Sequence, residues 1–259
     1  MTGIVDCVWV HLFKFAIILI LTVPVAMPRV SAQVNPDTWS MAGKTVLITG
    51  STDGLGREVA MRLGKLGAHV LVHGRNATRG AEVVEAVKNN GGSAEFYQAD
   101  LGSLDNVRQL AAAIMQNHPH LHMLINNAGL GSGLAGGQRQ VSTDGYEMIF
   151  HVNYLSHYLL TELLLPKLQA SAPARIINVA SGAQRPVNFN DVMMEQDFDS
   201  HAAYAQSKLA QILHAFYLSP LLENTGVTIN ALHPASLMNT TMVELMEREP
   251  RSTVDEGAT

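Results

Sequence analysis

Tyr204 and Lys208 are the pair whose types and spacing most directly suggest proton chemistry. They stand four positions apart, so on a helix their side chains lie on one face. A phenol has an ordinary pKa of about 10 and transfers protons poorly near neutrality unless its anion is stabilised. At an effective dielectric constant of about 20, a positive charge about 4 Å away contributes roughly 4 kcal/mol, equivalent to about three pH units before desolvation is subtracted. The pair therefore predicts a tyrosine acid/base assisted by a lysine, although an ordinary helix with an aromatic residue and a snorkelling lysine has the same pattern.

A serine hydroxyl precedes this pair in the chain. Ser181 follows the β-branched run 175–179, which predicts a strand. Open α/β sheets bind ligands beyond the carboxyl ends of their strands, so a hydroxyl there would hold a substrate oxygen during reaction. The predicted catalytic set is Ser181, Tyr204 and Lys208.

A glycine-rich loop follows the first predicted strand and opens a helix. Glycines at 50, 54 and 56 let the backbone turn sharply and approach a pyrophosphate, whose charge is stabilised by free N–H groups at the helix start. A tight turn with close helix packing is the alternative. No Lys-Ser or Lys-Thr follows the glycines, which disfavours a triphosphatase loop. The predicted dinucleotide-binding residues here are Thr49, Gly50, Ser51, Thr52, Asp53, Gly54, Leu55 and Gly56.

Arg75 follows the second predicted strand, about 20 residues after the glycines, where the adenosine ribose of a dinucleotide would lie. An acidic residue there would bind a ribose 2′-hydroxyl, whereas a guanidinium suits a 2′-phosphate. We therefore predict NADP as the preferred cofactor, with NAD as the alternative. A solvated loop arginine would look the same in the sequence.

The elements that must position these residues alternate between short β-branched runs and longer amphipathic stretches. That alternation predicts an α/β fold, a Rossmann-type doubly wound parallel sheet in a single domain. Six strands are predicted, at 45–49, 69–73, 94–98, 123–126, 175–179 and 227–232.

Composition excludes several classes of function. The 259 residues are 47% hydrophobic and carry a formal charge of −5, so no basic surplus favours a nucleic-acid partner. The single cysteine, Cys7, excludes disulfide frameworks, cysteine zinc sites and a cysteine nucleophile in the predicted domain. The histidines in the run 118–122 are interpreted as a polar connector, and no metal site is predicted.

The motifs together resemble the short-chain dehydrogenase/reductase superfamily. They are the glycine loop, Asn126-Asn127-Ala128-Gly129 after the fourth strand, Ser181, and Tyr204-Ala205-Gln206-Ser207-Lys208. The phrases at 150–157 and 203–210 are similar to its retinol-dehydrogenase-like branch. The resemblance spans residues 43 to about 241. It implies an oxidoreductase that interconverts an alcohol and a ketone or aldehyde, with Tyr204 as acid/base.

The resemblance also implies further site residues. Asn153 would complete the catalytic set by positioning a water that relays protons through Lys208. Asp100 with Leu101 would border the adenine, residues Asn127, Ala128 and Gly129 the nicotinamide ribose, and Pro234 the nicotinamide. Tyr204 and Lys208 are expected to bind the cofactor as well as to act in the proton step. Where the family usually continues Pro-Gly, Ala235 replaces the glycine here, which affects the expected placement of Thr240 or Thr241.

The substrate is expected to be a small carbonyl compound or alcohol. Residues 182–203 would help form its pocket, and their Phe and Met content suggests an apolar molecule. Two alternatives stay open, a cofactor-binding regulatory protein without turnover and a truncated inactive family member. The second arises because the family normally adds a helix and a seventh strand beyond the last strand predicted here. Homo-oligomerisation is also open.

The amino terminus is apolar and distinct from the rest. Residues 1–32 are predicted to be a signal peptide or a membrane anchor, 33–42 a linker and 43–259 the catalytic domain. The protein would then be exported or membrane-anchored, and a cytosolic catalytic domain is compatible with an anchor.

Overall fold

Six parallel strands form one sheet in the computed structural model, which describes residues 39–259. The strand order is β3-β2-β1-β4-β5-β6. The strands are β1 (Thr45–Ile48), β2 (His69–Gly74), β3 (Ser93–Gln98), β4 (Met123–Asn126), β5 (Ala174–Val179) and β6 (Val227–Leu232). All six predicted strands are confirmed, with bounds that differ by at most one residue.

Helices connect the strands, and several of them begin at a residue whose polar side chain caps the first turn. They are α1 (Gly54–Lys65), α2 (Ala77–Asn89), α3 (Leu104–Asn117), α4 (Met148–Phe150), α5 (Ser156–Ala170), α6 (Ser200–Leu221), α7 (Thr241–Glu244) and α8 (Val254–Gly257). The side chains of Asp53, Asn76, Ser103 and Asp199 accept N–H bonds at the starts of α1, α2, α3 and α6. A π-helical turn, His151–Leu155, joins α4 to α5.

The two faces of the sheet bury different side chains of the same strands. In β1, Leu47 packs with residues of α3, α5 and α6, whereas Val46 and Ile48 pack with residues of α1 and α2. All three side chains are fully buried. Covering both faces with helices is what a parallel sheet requires, and it explains the nearly continuous apolar runs in the strands.

The strand order reverses between β1 and β4, because β2 and β3 lie on one side of β1 and β4, β5 and β6 on the other. At such a reversal, the loops beyond the carboxyl ends of the two central strands separate and leave a crevice. The glycine loop leaves β1 there, and Asn127 begins the segment after β4. The topology therefore brings two of the predicted binding motifs to one edge of the sheet.

The predicted signal peptide or anchor and most of the predicted linker lie outside the described residues. Within 39–259, no helix combines the length and apolar character needed to cross a membrane. In the same part of the chain, β6 forms one edge of the sheet and β3 the other.

Candidate active site

The glycine loop is packed so closely that side chains would not fit at two of its glycines. A Cβ at Gly50 would lie 2.8 Å from Cα of Ala128, and Gly50 has a positive φ of 63°. A Cβ at Gly56 would lie 2.4 Å from the carbonyl oxygen of Gly50. Glycine is required at Gly50 by space and by backbone conformation, and at Gly56 by space alone.

The start of α1 faces this loop with free backbone donors. Asp53 caps the helix and accepts the N–H of Gly54 at 2.8 Å. The first helical bond to the preceding turn runs from the N–H of Arg57 to the carbonyl of Asp53. The N–H groups of Leu55 and Gly56 come before it and have no carbonyl acceptor within the helix. They are suited to bind an anion such as a pyrophosphate.

Thr49 ties the glycine loop to the segment after β4. Its hydroxyl oxygen accepts the N–H of Asn127 at 2.9 Å and that of Ala128 at 3.0 Å. The side-chain amide of Asn127 in turn donates to the carbonyl oxygens of Thr49 and Gly50. These residues brace the two loops that border the crevice.

Ser51 and Thr52 lie against the end of β2. The hydroxyl of Ser51 donates to the carbonyl of Ile48 at 2.8 Å and accepts the N–H of His73 at 3.0 Å, and the side chain is fully buried. The Thr52 side chain lies so close to Gly74 that a Cβ there would be 2.6 Å from it. Ser51 therefore supports the loop from behind, and its side chain is not available to a ligand.

Arg75 and Asp100 both line a surface cavity of about 570 Å³. Gln98, Asn106 and Gln109 also line it. The cavity lies past the carboxyl ends of β2 and β3, where the adenosine half of a dinucleotide was expected. Leu101 differs from the expectation: its side chain is buried in the core under α3, so only its backbone is available on this side.

Ser181, Tyr204 and Lys208 converge beyond the end of β5. The ammonium nitrogen of Lys208 donates to the carbonyl of Val179, the last residue of β5, at 2.8 Å. It lies 5.8 Å from the ring centre of Tyr204. The hydroxyl oxygen of Ser181 accepts the N–H of Ala183 at 3.1 Å. Gly129 adjoins this group, since a Cβ there would lie 3.6 Å from the Lys208 nitrogen.

The electrostatics of the Tyr204–Lys208 pair differ from the sequence argument. Burial raises the pKa of Tyr204 above its ordinary value, and hydrogen bonding with Ser181 opposes that shift without cancelling it. Burial lowers the pKa of Lys208 to about 7. Lys208 donates to Val179 and, at 3.0 Å, to the side-chain oxygen of Gln211. The expectation that Lys208 lowers the pKa of Tyr204 is therefore wrong for the protein groups alone: desolvation dominates both residues.

Asn153 occupies the middle of the π-helical turn and is fully buried. Its side-chain oxygen accepts the N–H of Leu130 at 2.7 Å, and its side-chain nitrogen donates to the carbonyl of Leu130 and the hydroxyl of Ser207. A Cβ at Gly129 would lie 3.5 Å from the Asn153 oxygen. Asn153 thus links the segment after β4 to α6, next to Lys208, and its role in a water relay stays a prediction.

The segment after β6 covers the glycine loop. The hydroxyl of Thr241 donates to a carboxylate oxygen of Asp53 at 2.8 Å, and Thr240 lies beside Gly54. Met242, which the sequence analysis did not single out, lies close to Gly129 and Gly131. Pro234 stands two residues past β6 and is partly exposed, and the neighbouring His233 ring approaches Gly182. Replacement of the usual glycine by Ala235 leaves this cover in place.

Two buried histidines contact the site, and sequence reasoning did not include either of them. Nδ1 of His73 lies 3.1 Å from the N–H nitrogen of Gly50. Nε2 of His157 lies 2.9 Å from the hydroxyl oxygen of Thr49, and its Nδ1 lies 2.9 Å from the carbonyl oxygen of Asn153. The contacts with Gly50 and Thr49 had no signal in the sequence, because each joins residues that are distant along the chain.

The described residues fit a nicotinamide dinucleotide. The glycine loop has no room for a Cβ at Gly50 or Gly56, the α1 start offers free N–H groups, and a cavity lined by Arg75 lies past the ends of β2 and β3. The polar set at Ser181, Tyr204 and Lys208 lies at the other end, past β5.

Comparison with known proteins gives the same assignment. The family model described as short chain dehydrogenase matches residues 44–250. Retinol dehydrogenase 14 of mouse is 40% identical over 212 residues, which cover 76% of this chain and 62% of that protein. Human polyprenol dehydrogenase is 37% identical over 201 residues, covering 74% of this chain and 60% of that protein. The chain thus spans about three fifths of the length of these curated relatives.

Solved structures agree in fold. RhlG of Pseudomonas aeruginosa, in a complex with NADP, superposes with a TM-score of 0.69 at 27% identity, covering 85% of this chain and 88% of that one. A metagenomic short-chain oxidoreductase in complex with NADP has a TM-score of 0.65 at 26% identity, covering 83% and 89% of the two chains. The extent of the family match and the identity to the retinol dehydrogenases, together with this fold and site, show that the chain belongs to the short-chain dehydrogenase family, in its retinol-dehydrogenase-like branch.

Proposed function

We propose that this protein is an NADP-preferring oxidoreductase that interconverts an alcohol and a ketone or aldehyde. The observation that carries the proposal is the convergence of Ser181, Tyr204 and Lys208 beyond β5, beside Gly129, across the crevice from the glycine loop. One end of the crevice suits a dinucleotide and the other suits proton transfer to an oxygen atom.

The binding half of the function rests on the backbone of the glycine loop and on Arg75. The N–H groups of Leu55 and Gly56 would hold the pyrophosphate, and Asp100 would border the adenine. Arg75 supplies the positive charge that a ribose 2′-phosphate needs. The NADP complexes of the structural relatives support the same choice. When bound, the nicotinamide supplies or accepts the hydride.

The proton step belongs to Tyr204. Because burial raises its pKa, the phenol is protonated at neutral pH and can donate its proton to a carbonyl oxygen as that oxygen gains negative charge. The Ser181 hydroxyl would hold the same oxygen. Lys208, with a pKa near 7, exchanges protons readily at neutral pH and would return one towards Tyr204.

The substrate we propose is an apolar alcohol or its carbonyl counterpart. Tyr204 packs in a cluster with Met194, Phe198, Leu130 and Leu134, so one wall beside the phenol is apolar. Phe189, in contrast, is 84% exposed and contributes nothing to that wall. The names of the relatives include retinol and polyprenol, which are long apolar alcohols.

The test uses Tyr204→Phe, with oxidation of NADPH followed against a panel of apolar aldehydes and ketones. Turnover should fall at least a hundredfold because a general acid typically contributes about 10²–10⁴. Cofactor binding, measured by fluorescence titration, should change by less than about threefold because the groups proposed to hold the pyrophosphate and the 2′-phosphate are untouched. Tyr217→Phe is the matched control, since Tyr217 lies on the same helix and is exposed.

Two results would contradict the proposal. Retained turnover in Tyr204→Phe would remove the acid/base role. Tight NADPH binding by the wild type without oxidation against any member of the panel would instead favour the regulatory alternative.

A further inference from the structure

A second cluster of ligand-type side chains lies away from the crevice. His69 is the first residue of β2, Glu95 lies on the neighbouring β3, and His118 follows α3. One ligand atom from each of these three residues can be chosen so that all three atoms lie within 4.8 Å of one another. The cluster is near the amino ends of β2 and β3, whereas the crevice opens beyond the carboxyl ends of the strands. Neither the catalytic set nor the cofactor-binding residues use it.

The three side chains face one another because of the strand pleat. His69, Leu71 and His73 alternate with the valines of β2, and Leu71 packs on the α3 face of the sheet. Glu95 lies opposite Leu71 in the register and points to that same face. His118 directly follows α3, the helix that packs on this face, and is almost fully buried. Three distant parts of the chain therefore place two imidazoles and a carboxylate together.

The geometry suits metal coordination. Nε2 of His69 lies 3.3 Å from one oxygen of Glu95, and Nε2 of His118 lies 3.8 Å from the other. Tetrahedral zinc with ligands at about 2.0–2.1 Å holds neighbouring donor atoms roughly 3.3 Å apart, so the three donor atoms, which lie within 4.8 Å of one another, would have to move closer together on binding. Two histidines and one glutamate are a known zinc ligand set that leaves a fourth position for water.

Surrounding groups orient both rings. Nδ1 of His69 lies 2.8 Å from the hydroxyl of Ser93, which can accept a proton from Nδ1 when Nε2 binds a metal ion. Nε2 of His118 lies 2.7 Å from the hydroxyl oxygen of Tyr97, within hydrogen-bond distance. A metal ion bound at Nε2 of His118 would take the place of the Tyr97 contact, because a ring nitrogen has a single lone pair. The ammonium of Lys167, which donates to the carbonyl of His118, would repel a bound cation.

We propose that His69, Glu95 and His118 bind a divalent transition-metal ion of the zinc class. The ion would join the edge strand β3 to β2 and to the end of α3. An edge strand has a neighbour on one side only, so a ligand bridge there stabilises the part of the sheet with the fewest pairing bonds. Tyr97 would then be free to bond a water in the fourth position.

The experiment measures zinc and cobalt binding to tag-free, chelator-treated full-length protein. Calorimetric titration with zinc should give one saturable site, and zinc should raise the unfolding temperature because it binds only the folded arrangement. Cobalt should produce the visible absorption bands of a tetrahedral site. Glu95→Gln, at an exposed position, should weaken zinc binding at least tenfold, and His69→Asn likewise.

His120→Ala is the matched control because it removes an exposed neighbouring histidine that is not in the cluster. It should leave the affinity unchanged within about twofold, as distant surface substitutions do. The proposal is overturned if the wild type shows no saturable site, which would leave the cluster as a histidine–glutamate ion pair. Equal loss of affinity in His120→Ala and Glu95→Gln would overturn it as well.

Discussion

Nε2 of His157 on α5 lies 2.9 Å from the hydroxyl oxygen of Thr49 at the end of β1. The same hydroxyl oxygen accepts the N–H groups of Asn127 and Ala128. A histidine that is 2% exposed therefore supports the threonine to which both walls of the dinucleotide crevice are attached. The other ring nitrogen is bonded to the carbonyl of Asn153, so one imidazole connects the binding loops with the π-helical turn.

His157→Ala should weaken cofactor binding although the residue lies behind the crevice. Loss of the ring leaves a buried cavity and frees the Thr49 hydroxyl, at a cost of about 1–3 kcal/mol in the free energy of unfolding. We expect the Kd for NADPH to rise about tenfold, measured by fluorescence titration. The control is His214→Ala, because His214 is also buried but contacts Tyr154 and Tyr158. An equal rise in Kd in that variant would mean that general loss of packing, and not the Thr49 contact, is responsible.

Acid should destabilise the protein through the same histidine. Burial lowers the pKa of His157 to about 3, whereas an unfolded histidine titrates near about 6.5. Between those values the unfolded chain binds the extra proton, so this contribution to stability is present above about pH 6.5 and is lost as the pH falls. In urea unfolding, wild type should lose roughly 2 kcal/mol more than His157→Gln between about pH 7 and about pH 5. Parallel losses in the two proteins would show that His157 takes up its proton in the folded state.

The positions of the strands and of the two crevice motifs could be predicted from the sequence because they depend on local patterns. β-branched runs form the strands, and Gly50 and Gly56 mark close backbone approaches. The contacts of His73 and His157 could not be predicted, since they join residues on separate elements. The same holds for His69, Glu95 and His118, which come together from β2, from β3 and from the end of α3.

The error over Tyr204 and Lys208 has a different physical origin. Helical spacing correctly predicted that the two residues are neighbours, but it carries no information about burial. The Lys208 side chain reaches the carbonyl of Val179 and the amide of Gln211, inside the protein. Desolvation there outweighs the attraction to the phenol, and this follows only from the packing of α6 on β5.

Lys208→Met should remove a pH dependence of stability on the alkaline side. Burial lowers the pKa of Lys208 to about 7, from about 10.5 in the unfolded chain, so between those values the unfolded state binds the extra proton. Wild-type stability should therefore rise with pH in this window by about 1.4 kcal/mol per pH unit. Urea unfolding at about pH 7.5 and about pH 9 should give that slope in wild type and a flatter one in Lys208→Met. Lys65→Met, at an exposed lysine, should keep the wild-type slope. Identical slopes in wild type and Lys208→Met would show that the ammonium stays charged when buried.

Arg75→Asp should reverse the cofactor preference, because Arg75 borders the cavity expected to hold the adenosine ribose. An aspartate there repels a 2′-phosphate and accepts a hydrogen bond from a 2′-hydroxyl. We expect the Kd for NADPH to rise at least tenfold and that for NADH to fall, both measured by fluorescence titration. Arg79→Asp separates this role from general electrostatics. Arg79 lies in the first turn of α2, its guanidinium is 3.8 Å from the carboxylate of Asp53, and it does not line the cavity. If Arg79→Asp changes the NADPH to NADH ratio as much as Arg75→Asp does, the preference arises from the summed positive charge at the start of α2, and the specific assignment to Arg75 is wrong.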